Sequence, residues 1–532
     1  MLRVRHSLRE LQEKYDNNDK EPLEKVMKAW AGIKALPPDD PNSYFVIGGY
    51  HGEPFVGAGW GDPSYWGGFC NHGNVLFPTW HRAYLVRLEK ALQSIPGCED
   101  VMQPYWDETS EDSIKHGIPW ALTDEFFPRE SNTPNPLRSF VFPAPIADNA
   151  IAADTYDYSK PAGYETVRYP LSGLVGEKDL KATKCHNSQY ADYKKNVEIL
   201  NKNVVQWLTS KIVVDNKPIE TNVAKKYKDC LLAPNYTVFS NTTSAAEYNS
   251  SITLDPSKKG QKIVVPLESP HNSIHLAVGG YDYPGASDIS PIAGANADMG
   301  ENNTAGLDPI FFFHHCNVDR MFWLWQKFNG HTDCLEIIDH YPGTNSVDNQ
   351  GPTPGTAPNS WLTLSSPLDP FKITTNGESR PYNSRDVINI EEQLGYTYSK
   401  GSLDDEPAFE QAKKAAEETI DSGVVQISNV NRAIEGGSFV VVAEAVIDGK
   451  RQVIGHEAVL SRWNVEGCAN CQNHLEVKAH FELHQSIHPK VLLSKSVEDA
   501  ANSTTLDHTV SHKLITRNRN VGRLHQPKIR VN

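Results

Sequence analysis

The sequence predicts a mainly α-helical domain, a helix bundle, followed by a small antiparallel β domain. Residues 78–94 and 308–328 repeat apolar side chains at helical spacing, and the second stretch is so apolar that it must be largely buried. After residue 423 apolar and polar residues alternate, as they do in strands with one buried face. At 532 residues the chain is too long for one simple core, so we expect more than one domain.

The elements follow one another in a clear order. Further helices are predicted at 1–35, 189–230 and 269–278, and loops at 44–70, 110–180, 279–306 and 341–372. The helical domain is expected to span residues 1–398. A polar, charged and exposed linker is predicted at 399–423, and the β domain at 424–532.

Composition restricts the partners. The net charge of −15 and the pI of about 5.7 argue against nucleic acid and are compatible with a neutral small molecule. The amino terminus lacks the apolar run of a signal peptide, and no segment is apolar enough to span a membrane, so an intracellular, cytoplasmic protein is expected. Eight cysteines are few for this length and fit reduced, mostly buried thiols. The oligomeric state is left open.

The most specific spacing is that of His271 and His275. On a helix, residues four apart project from one face about 6 Å apart, which suits two ligands of one metal. The helix of zinc proteases has this spacing but needs Glu directly after the first His, where this chain has Asn272. That alternative therefore lacks its general base.

The buried helix 308–328 carries His314 and His315. Neighbouring residues on a helix cannot share a face, so we expect only one of them to bind a metal. Asp319 lies on the face of His315 and could orient an imidazole, or it could pair with Arg320.

A second group of histidines, His51, His72 and His81, shows no such spacing. Three neutral imidazoles suit copper, iron, nickel or zinc and leave a coordination position open. Two groups of three, with members on predicted helices, suggest two metals that face each other across a bundle.

Several segments together resemble a known family. They are HGEPF (51–55), FPTWHRAYL (77–85), PYWD (104–107), PLESPHNSIHLAVGG (266–280) and DPIFFFHHCNVDR (308–320). In this order they resemble the type-3 copper proteins, and most of all the fungal tyrosinases that carry a C-terminal shielding domain. The resemblance extends from about residue 40 to 475.

The resemblance implies two copper ions and O2 as co-substrate. His51, His72 and His81 match the ligands of the first copper, CuA, and His271, His275 and His315 match those of the second, CuB. The implied activity is ortho-hydroxylation of monophenols and oxidation of o-diphenols to o-quinones, as in melanin-type pigment formation. Alternatives are a catechol oxidase without useful hydroxylase activity, a haemocyanin-like O2 carrier, and a structural or zinc-binding protein.

Three more residues match functional positions of the family. Cys70 matches a cysteine joined to an imidazole, here that of His72, by a thioether; the alternative is a buried thiol. Glu268 and Asn272 match a pair that holds a water proposed to deprotonate phenols, a proton transfer that a phenol of pKa about 10 needs. The alternative for Glu268 is a cap of the helix that begins there.

The β domain carries Cys468 and Cys471, a C-x-x-C pair with soft thiolates suited to Cu(I). The resemblance implies that they deliver copper, with a copper donor as partner; the alternative is a structural pair of thiols. It also implies that this domain covers the copper site until the linker is cleaved. Candidates for the covering side chain are Val459, Leu460 and Trp463.

Overall fold

Among the residues that the structure describes, helices are the main regular elements up to residue 417 and strands the main ones beyond it. The computed structural model describes residues 2–52, 68–147, 158–258, 261–284, 292, 294, 296–348, 353–375, 377–417, 423–447, 450–462, 476–483, 491–493, 508–515 and 527–531. The helices are α1 (Leu8–Asp16), α2 (Glu21–Ala35), α3 (Tyr44–Gly49), α4 (Phe77–Leu92), α5 (Glu111–His116), α6 (Leu180–Asn187), α7 (Tyr193–Thr209), α8 (Val223–Cys230), α9 (Tyr236–Ser240), α10 (Thr242–Leu254), α11 (Glu268–Gly279), α12 (Ile310–Asn329), α13 (Glu406–Glu417) and α14 (Arg432–Glu435).

The strands form small sheets. They are β1 (Arg3–Arg5), β2 (Lys211–Val214), β3 (Lys217–Glu220), β4 (Pro367–Thr375), β5 (Glu378–Asn383), β6 (Tyr396–Tyr398), β7 (Gly423–Asn431), β8 (Phe439–Ile447), β9 (Lys450–Val459), β10 (Glu476–Leu483), β11 (Val491–Leu493), β12 (His508–Ile515) and β13 (Lys528–Val531). The carboxyl-terminal strands pair in the orders β10-β7-β13 and β11-β12-β8-β9, while β1 pairs with β6, β2 with β3 and β4 with β5.

The helix α12 lies at the centre of the helical part. Every residue from Ile310 to Gln326 is buried, and the helix packs against α4 and α11. Gly330, in the left-handed conformation, ends it as a C-cap should. The prediction of a buried helix at 308–328 is confirmed. Among the described helices, none has the length and apolar character needed to cross a bilayer.

The prediction of continuous helix across 189–230 is wrong in its middle. The helix α7 ends at Thr209, and β2 and β3 form an antiparallel hairpin before α8 begins. The β-branched run Ile212–Val214 favours a strand over a helix. Asp215 and Asn216 both have positive φ, which is the backbone of a tight two-residue hairpin turn.

The segment predicted as an exposed linker is attached to the helical part at its start. Asp107 accepts a hydrogen bond from the backbone N–H of Ser402 (2.7 Å), and Arg320 forms an ion pair with Asp404 (2.9 Å). The helix α13 follows and has mostly exposed side chains. Within α13, Phe409 is buried and stacks on Phe328 of α12 with centroids 4.5 Å apart, so the chain stays attached to the helical part at least to Phe409.

The β domain has the alternating pattern that the sequence predicts. Inward-facing residues such as Val425 and Ile427 of β7, Val441 of β8 and Phe481 of β10 form a buried cluster, which Ile212 and Val214 of β2 also join. The carboxyl-terminal pairings are antiparallel except that of β11 with β12. The small antiparallel β domain is thus confirmed, with one short parallel pair.

This domain contacts the helical part mainly through β9, which lies along α11. Glu457 of β9 accepts hydrogen bonds from the hydroxyl of Ser269 (2.8 Å) and the ammonium group of Lys226 (3.0 Å). Nearby, the hydroxyl of Tyr281 donates to the carbonyl of Ser438 (2.6 Å). The strand is thereby held against the helix that carries His271 and His275.

His456 makes this interface sensitive to pH. Its ring is buried and stacks on Trp207 of α7, with 4.8 Å between ring centroids. Burial, with a smaller effect of the Lys226 ammonium, lowers its pKa well below the ordinary value. Below about pH 6.5 the unfolded chain takes up a proton that the folded chain rejects, so stability falls as pH falls.

Replacing His456 with Phe should therefore flatten the loss of stability in acid. Between pH 7 and pH 5 one such histidine costs about 2 kcal/mol of unfolding free energy, and Phe keeps the stacking on Trp207 without titrating. Urea unfolding at the two pH values measures the difference. The same substitution at the exposed His116 is the control. Equal pH dependence in wild type and His456→Phe would contradict the assignment.

Candidate metal centre

The first histidine group converges although its members come from different elements. His51 follows α3, His72 lies in the loop before α4, and His81 lies on α4. All three are buried, with ring centroids 5.2 Å apart for the pairs His51–His72 and His72–His81 and 5.8 Å for His51–His81. The three side chains can offer one nitrogen each to a single metal ion.

The second group is built from two helices. His271 and His275 lie on α11, and His315 lies on α12. The Nε2 atom of His315 is 3.2 Å from Nε2 of His271 and 3.3 Å from Nε2 of His275. His314 also lies in this cluster, but its Nδ1 atom is 2.6 Å from a carboxyl oxygen of Glu108. His315 is therefore the member of the pair whose Nε2 meets those of both α11 histidines.

The two groups face each other. The rings of His81 and His315 stack with centroids 4.5 Å apart, and those of His72 and His271 are 5.7 Å apart. The two triads would therefore hold two metal ions as neighbours in one site.

The hydrogen bonds prepare these imidazoles for metal binding. Four of the six donate Nδ1–H to a protein oxygen, namely His51 to Asn302 O (3.0 Å), His81 to Phe77 O (2.8 Å), His271 to Asn272 Oδ1 (2.9 Å) and His275 to Met299 O (2.8 Å). An imidazole with its proton on Nδ1 presents a lone pair on Nε2.

Two of these Nε2 lone pairs meet no donor among the residues that the structure describes. Within the described part of the chain, Nε2 of His51 and of His81 is buried without a hydrogen-bond partner. In the second triad, Nε2 atoms of His271 and His275 point at His315, an arrangement that a cation stabilises. Burial lowers the pKa of all six imidazoles, that of His81 to about 3, which keeps them in the neutral form that binds metals.

Two glycines allow the backbone around Met299 and Asn302, whose carbonyls accept from His275 and His51, to lie close to the triads. A Cβ atom on Gly52 would collide with the carbonyl of Asn303, and one on Gly279 would collide with the backbone N–H of Gly300. Both contacts hold the 298–304 segment against the triads. Neither position can accept a larger residue without displacing that segment.

The comparison with protein families decides what this centre is. The family model described as the common central domain of tyrosinase matches residues 41–328, more than half of the chain. This chain belongs to the tyrosinase family. It is 52% identical over 504 residues to tyrosinase HcTyr2 of Hahella sp. strain CCB-MM4, which covers 91% of this chain and 88% of that protein.

Two other tyrosinases are similar over nearly the whole chain. The tyrosinase of Aspergillus oryzae is 43% identical over 501 residues, covering 90% of this chain and 89% of that one. The solved structure of the Burkholderia thailandensis tyrosinase at low pH superposes with a TM-score of 0.83 at 49% identity, covering both chains completely. This chain is therefore a dicopper enzyme that acts on phenols, and its two triads fit CuA and CuB.

In this tyrosinase-family centre, Glu268 joins the two copper sites. Its carboxyl group is buried and accepts hydrogen bonds from the backbone N–H of Gly73 (2.9 Å) and from the backbone N–H and hydroxyl of Thr242 (2.8 and 3.0 Å). Burial raises its pKa, which these bonds and Arg432 only partly offset. The bonds reach the loop at Gly73 and the first residue of α10 rather than the start of α11, so Glu268 does not cap its own helix.

Asn272 lies between CuB and a cavity. Its Oδ1 atom accepts from His271, and its side chain lines a cavity of about 390 Å³ between the helical part and the β domain. Val459 and Leu460 are both buried, and of the two Val459 lines the same cavity. Trp463, the third candidate for a covering side chain, lies outside the described residues.

Cys70 is buried beside CuA. The guanidinium of Arg462, which follows β9, donates to its sulfur at 3.5 Å. Burial raises the pKa of the Cys70 thiol although Arg462 opposes this. The thioether to His72 stays a prediction. Cys468 and Cys471 lie outside the described residues.

Asp319 has neither of the two partners expected from the sequence. It accepts hydrogen bonds from Arg82 (2.5 Å) and Arg5 (2.9 Å) and from the hydroxyls of Tyr396 and Tyr398. Burial would raise its pKa, but the two guanidinium groups hold the pKa below its usual range. The residue thus joins β1, α4 and β6 to α12 and orients no ligand.

Proposed function

We propose that this enzyme hydroxylates monophenols and oxidises o-diphenols, and that Glu268 and Asn272 hold the water that takes the phenolic proton. The observation that carries this proposal is the position of Glu268, a buried carboxyl that bridges the CuA loop at Gly73 and the CuB helix α11. Asn272, one helical turn from Glu268, lines the cavity between the helical part and the β domain, and its Oδ1 atom accepts from His271. A phenol in this cavity would meet Asn272 beside the CuB triad.

The two copper ions, when bound, supply the activation of O2 and the redox chemistry. The protein's own residues orient the phenol and move its proton. A phenol of pKa about 10 needs a base, and a carboxyl whose pKa is raised by burial is a better proton acceptor than an exposed one. Phe77 and Phe311, which pack on the histidines, contribute to a dry pocket around the reacting ring.

The test is oxygen uptake with tyrosine and with catechol in wild type and Glu268→Gln. Loss of the carboxylate should lower turnover of tyrosine about 100-fold or more, because general-base catalysis contributes that much. Oxidation of catechol should change far less, since a diphenol depends less on a positioned base.

The matched control is Thr242→Val. It removes one hydroxyl bond to Glu268 and keeps the carboxylate, so both turnovers should stay near wild type. Equal losses on tyrosine and catechol in Glu268→Gln would contradict the role. Catechol turnover alone, even when a trace of diphenol reduces the coppers, would identify a catechol oxidase, and reversible oxygenation without turnover an O2 carrier.

The same proposal includes latency. The helical domain comprises residues 1–398, the linker 399–423 and the β domain 424–532. The β domain covers the entrance to the copper centre until the linker is cut. Its support is that Val459 and Asn272 line the same cavity and that Arg462 contacts Cys70. The thioether of Cys70 with His72 would hold that ring, and Cys468 and Cys471 would receive copper from a donor. An intracellular location stays a prediction, and the oligomeric state stays open.

A further inference from the structure

Behind the CuB site lies a buried polar cluster that the copper ligands do not explain. Glu108 and His314 are both fully buried, and a carboxyl oxygen of Glu108 is 2.6 Å from Nδ1 of His314. The hydroxyl of Tyr227, on α8, donates to the other oxygen of Glu108 at 2.5 Å. Burying such groups is costly, so their pairing in the core requires a reason.

The cluster touches the metal site through the ring of His314. That ring stacks on His271, with centroids 5.2 Å apart and 21° between the planes. It meets the ring of His275 edge-on, with centroids 5.1 Å apart. A single imidazole thus packs against both ligands that α11 contributes.

The segment that carries Glu108 is also attached to α12 by its backbone. The N–H of Trp106 donates to the carbonyl of Phe313 at 3.0 Å, one residue before His314. Two hydrogen bonds therefore connect residues 106–108 to the start of α12: this backbone bond and the bond between Glu108 and His314. The ring of His314 is therefore held at Nδ1 and cannot turn without breaking a buried hydrogen bond.

We propose that Glu108 and His314 are positioning residues of the CuB site. Glu108 holds the ring of His314, and this ring holds those of His271 and His275 so that their Nε2 atoms meet His315. His314 acts through these ligands and does not bind the copper itself. The inference rests on the copper centre of the proposed function but not on phenol hydroxylation.

Copper release from the full-length, copper-loaded protein tests this inference. A chelator present in excess removes copper, and the rate is followed for each of the two ions. In Glu108→Ala we expect one ion to leave about 10-fold faster than in wild type, the lower end of the effect of removing a residue bonded directly to a ligand, because Glu108 acts on the ligands through His314. The other ion should leave at nearly the wild-type rate.

Two variants separate positioning from general stability. Glu108→Gln can still accept from Nδ1 of His314 and should restore slow release. Tyr227→Phe removes the hydrogen bond that Tyr227 donates to Glu108 and keeps His314 in place, so it should release copper almost as wild type does. The melting temperature of each metal-free variant shows how much general stability has been lost.

Should Glu108→Ala not fold, His314→Gln supplies the same test, since it can bond to Glu108 but lacks the ring that packs on His271. Faster loss of one ion supports the proposal. The proposal is wrong if both ions leave at the wild-type rate. It is also wrong if both ions leave faster by the same factor and this factor follows the fall in the melting temperature of the metal-free variant. Because the readout is copper retention, failure to hydroxylate tyrosine would affect the proposed function alone.

Discussion

Replacing His315 with Asn is expected to leave the protein with one copper ion and to abolish oxygen uptake with either tyrosine or catechol. The Nε2 atom of His315 lies within 3.3 Å of Nε2 of both His271 and His275, so its loss removes the one α12 nitrogen that meets both. Metal stabilisation of a transition state amounts to several kcal/mol, which corresponds to a rate loss of about 1,000-fold or more. Copper analysis and oxygen uptake measure the two effects.

His314→Gln is the matched control for this prediction, because it alters the neighbouring histidine on the same helix. His314 interacts with Glu108, so its loss should weaken the CuB site without removing a ligand. An excess of free copper should then restore two ions and most of the activity in His314→Gln, but not in His315→Asn. Two tightly held coppers in His315→Asn would show that this assignment of the ligands is wrong.

The two triads differ in how far the sequence alone reveals them. His271 and His275 are visible because helical spacing places them on one face of α11. The spacing in the sequence does not relate the other three ligands: His51 follows the end of α3, His72 lies in a loop and His81 lies on α4. They converge through tertiary contacts, and only the resemblance to known copper proteins predicts them.

The sequence predicts least well those residues whose partners lie far away in the chain, such as Glu108 and Asp319. Glu108 follows the recognisable segment PYWD, but nothing in the local pattern indicates that it reaches His314, 206 positions later. Asp319 was expected to interact with near neighbours on its own helix, yet its partner Arg5 lies 314 positions away. Local periodicity carries no information on such pairs.

The elements follow the same rule. The helix α12 and the strands of the β domain were predicted because a regular apolar pattern reports burial on a helix or a sheet face. The hairpin of β2 and β3 differs from the predicted helix 189–230 because the helical pattern of its first part does not continue across Asp215 and Asn216, which form the turn. A dipeptide of turn residues after three β-branched residues was the available signal.

Cutting the chain within α13 and releasing the β domain is expected to raise the activity on catechol about 100-fold. A docking free energy of about 3 kcal/mol would leave only about 1% of the molecules open, and release makes all of them open. The segment up to Asp404 is attached to Asp107 and Arg320, so the cut should fall after it. A site for a specific protease within residues 410–417 provides the cut, and catechol turnover before and after cleavage measures the effect.

The contacts of Glu457 offer a second way to open the molecule, and one that needs no protease. Glu457 accepts from both Ser269 and Lys226, so Glu457→Ala removes a charge pair and a hydrogen bond that hold β9 along α11. A partial loss of docking, about 1 kcal/mol, should raise the activity of the uncut chain several-fold while leaving that of the cut chain unchanged.

Arg451, which pairs with Glu444 within the β domain, is the control: Arg451→Ala should change neither activity. If Glu457→Ala and the cut both leave catechol turnover at its original value, the β domain does not restrict access to the copper centre. A gain in the cut chain alone would mean that β9 is held mainly by contacts other than those of Glu457, such as the hydrogen bond between Tyr281 and Ser438.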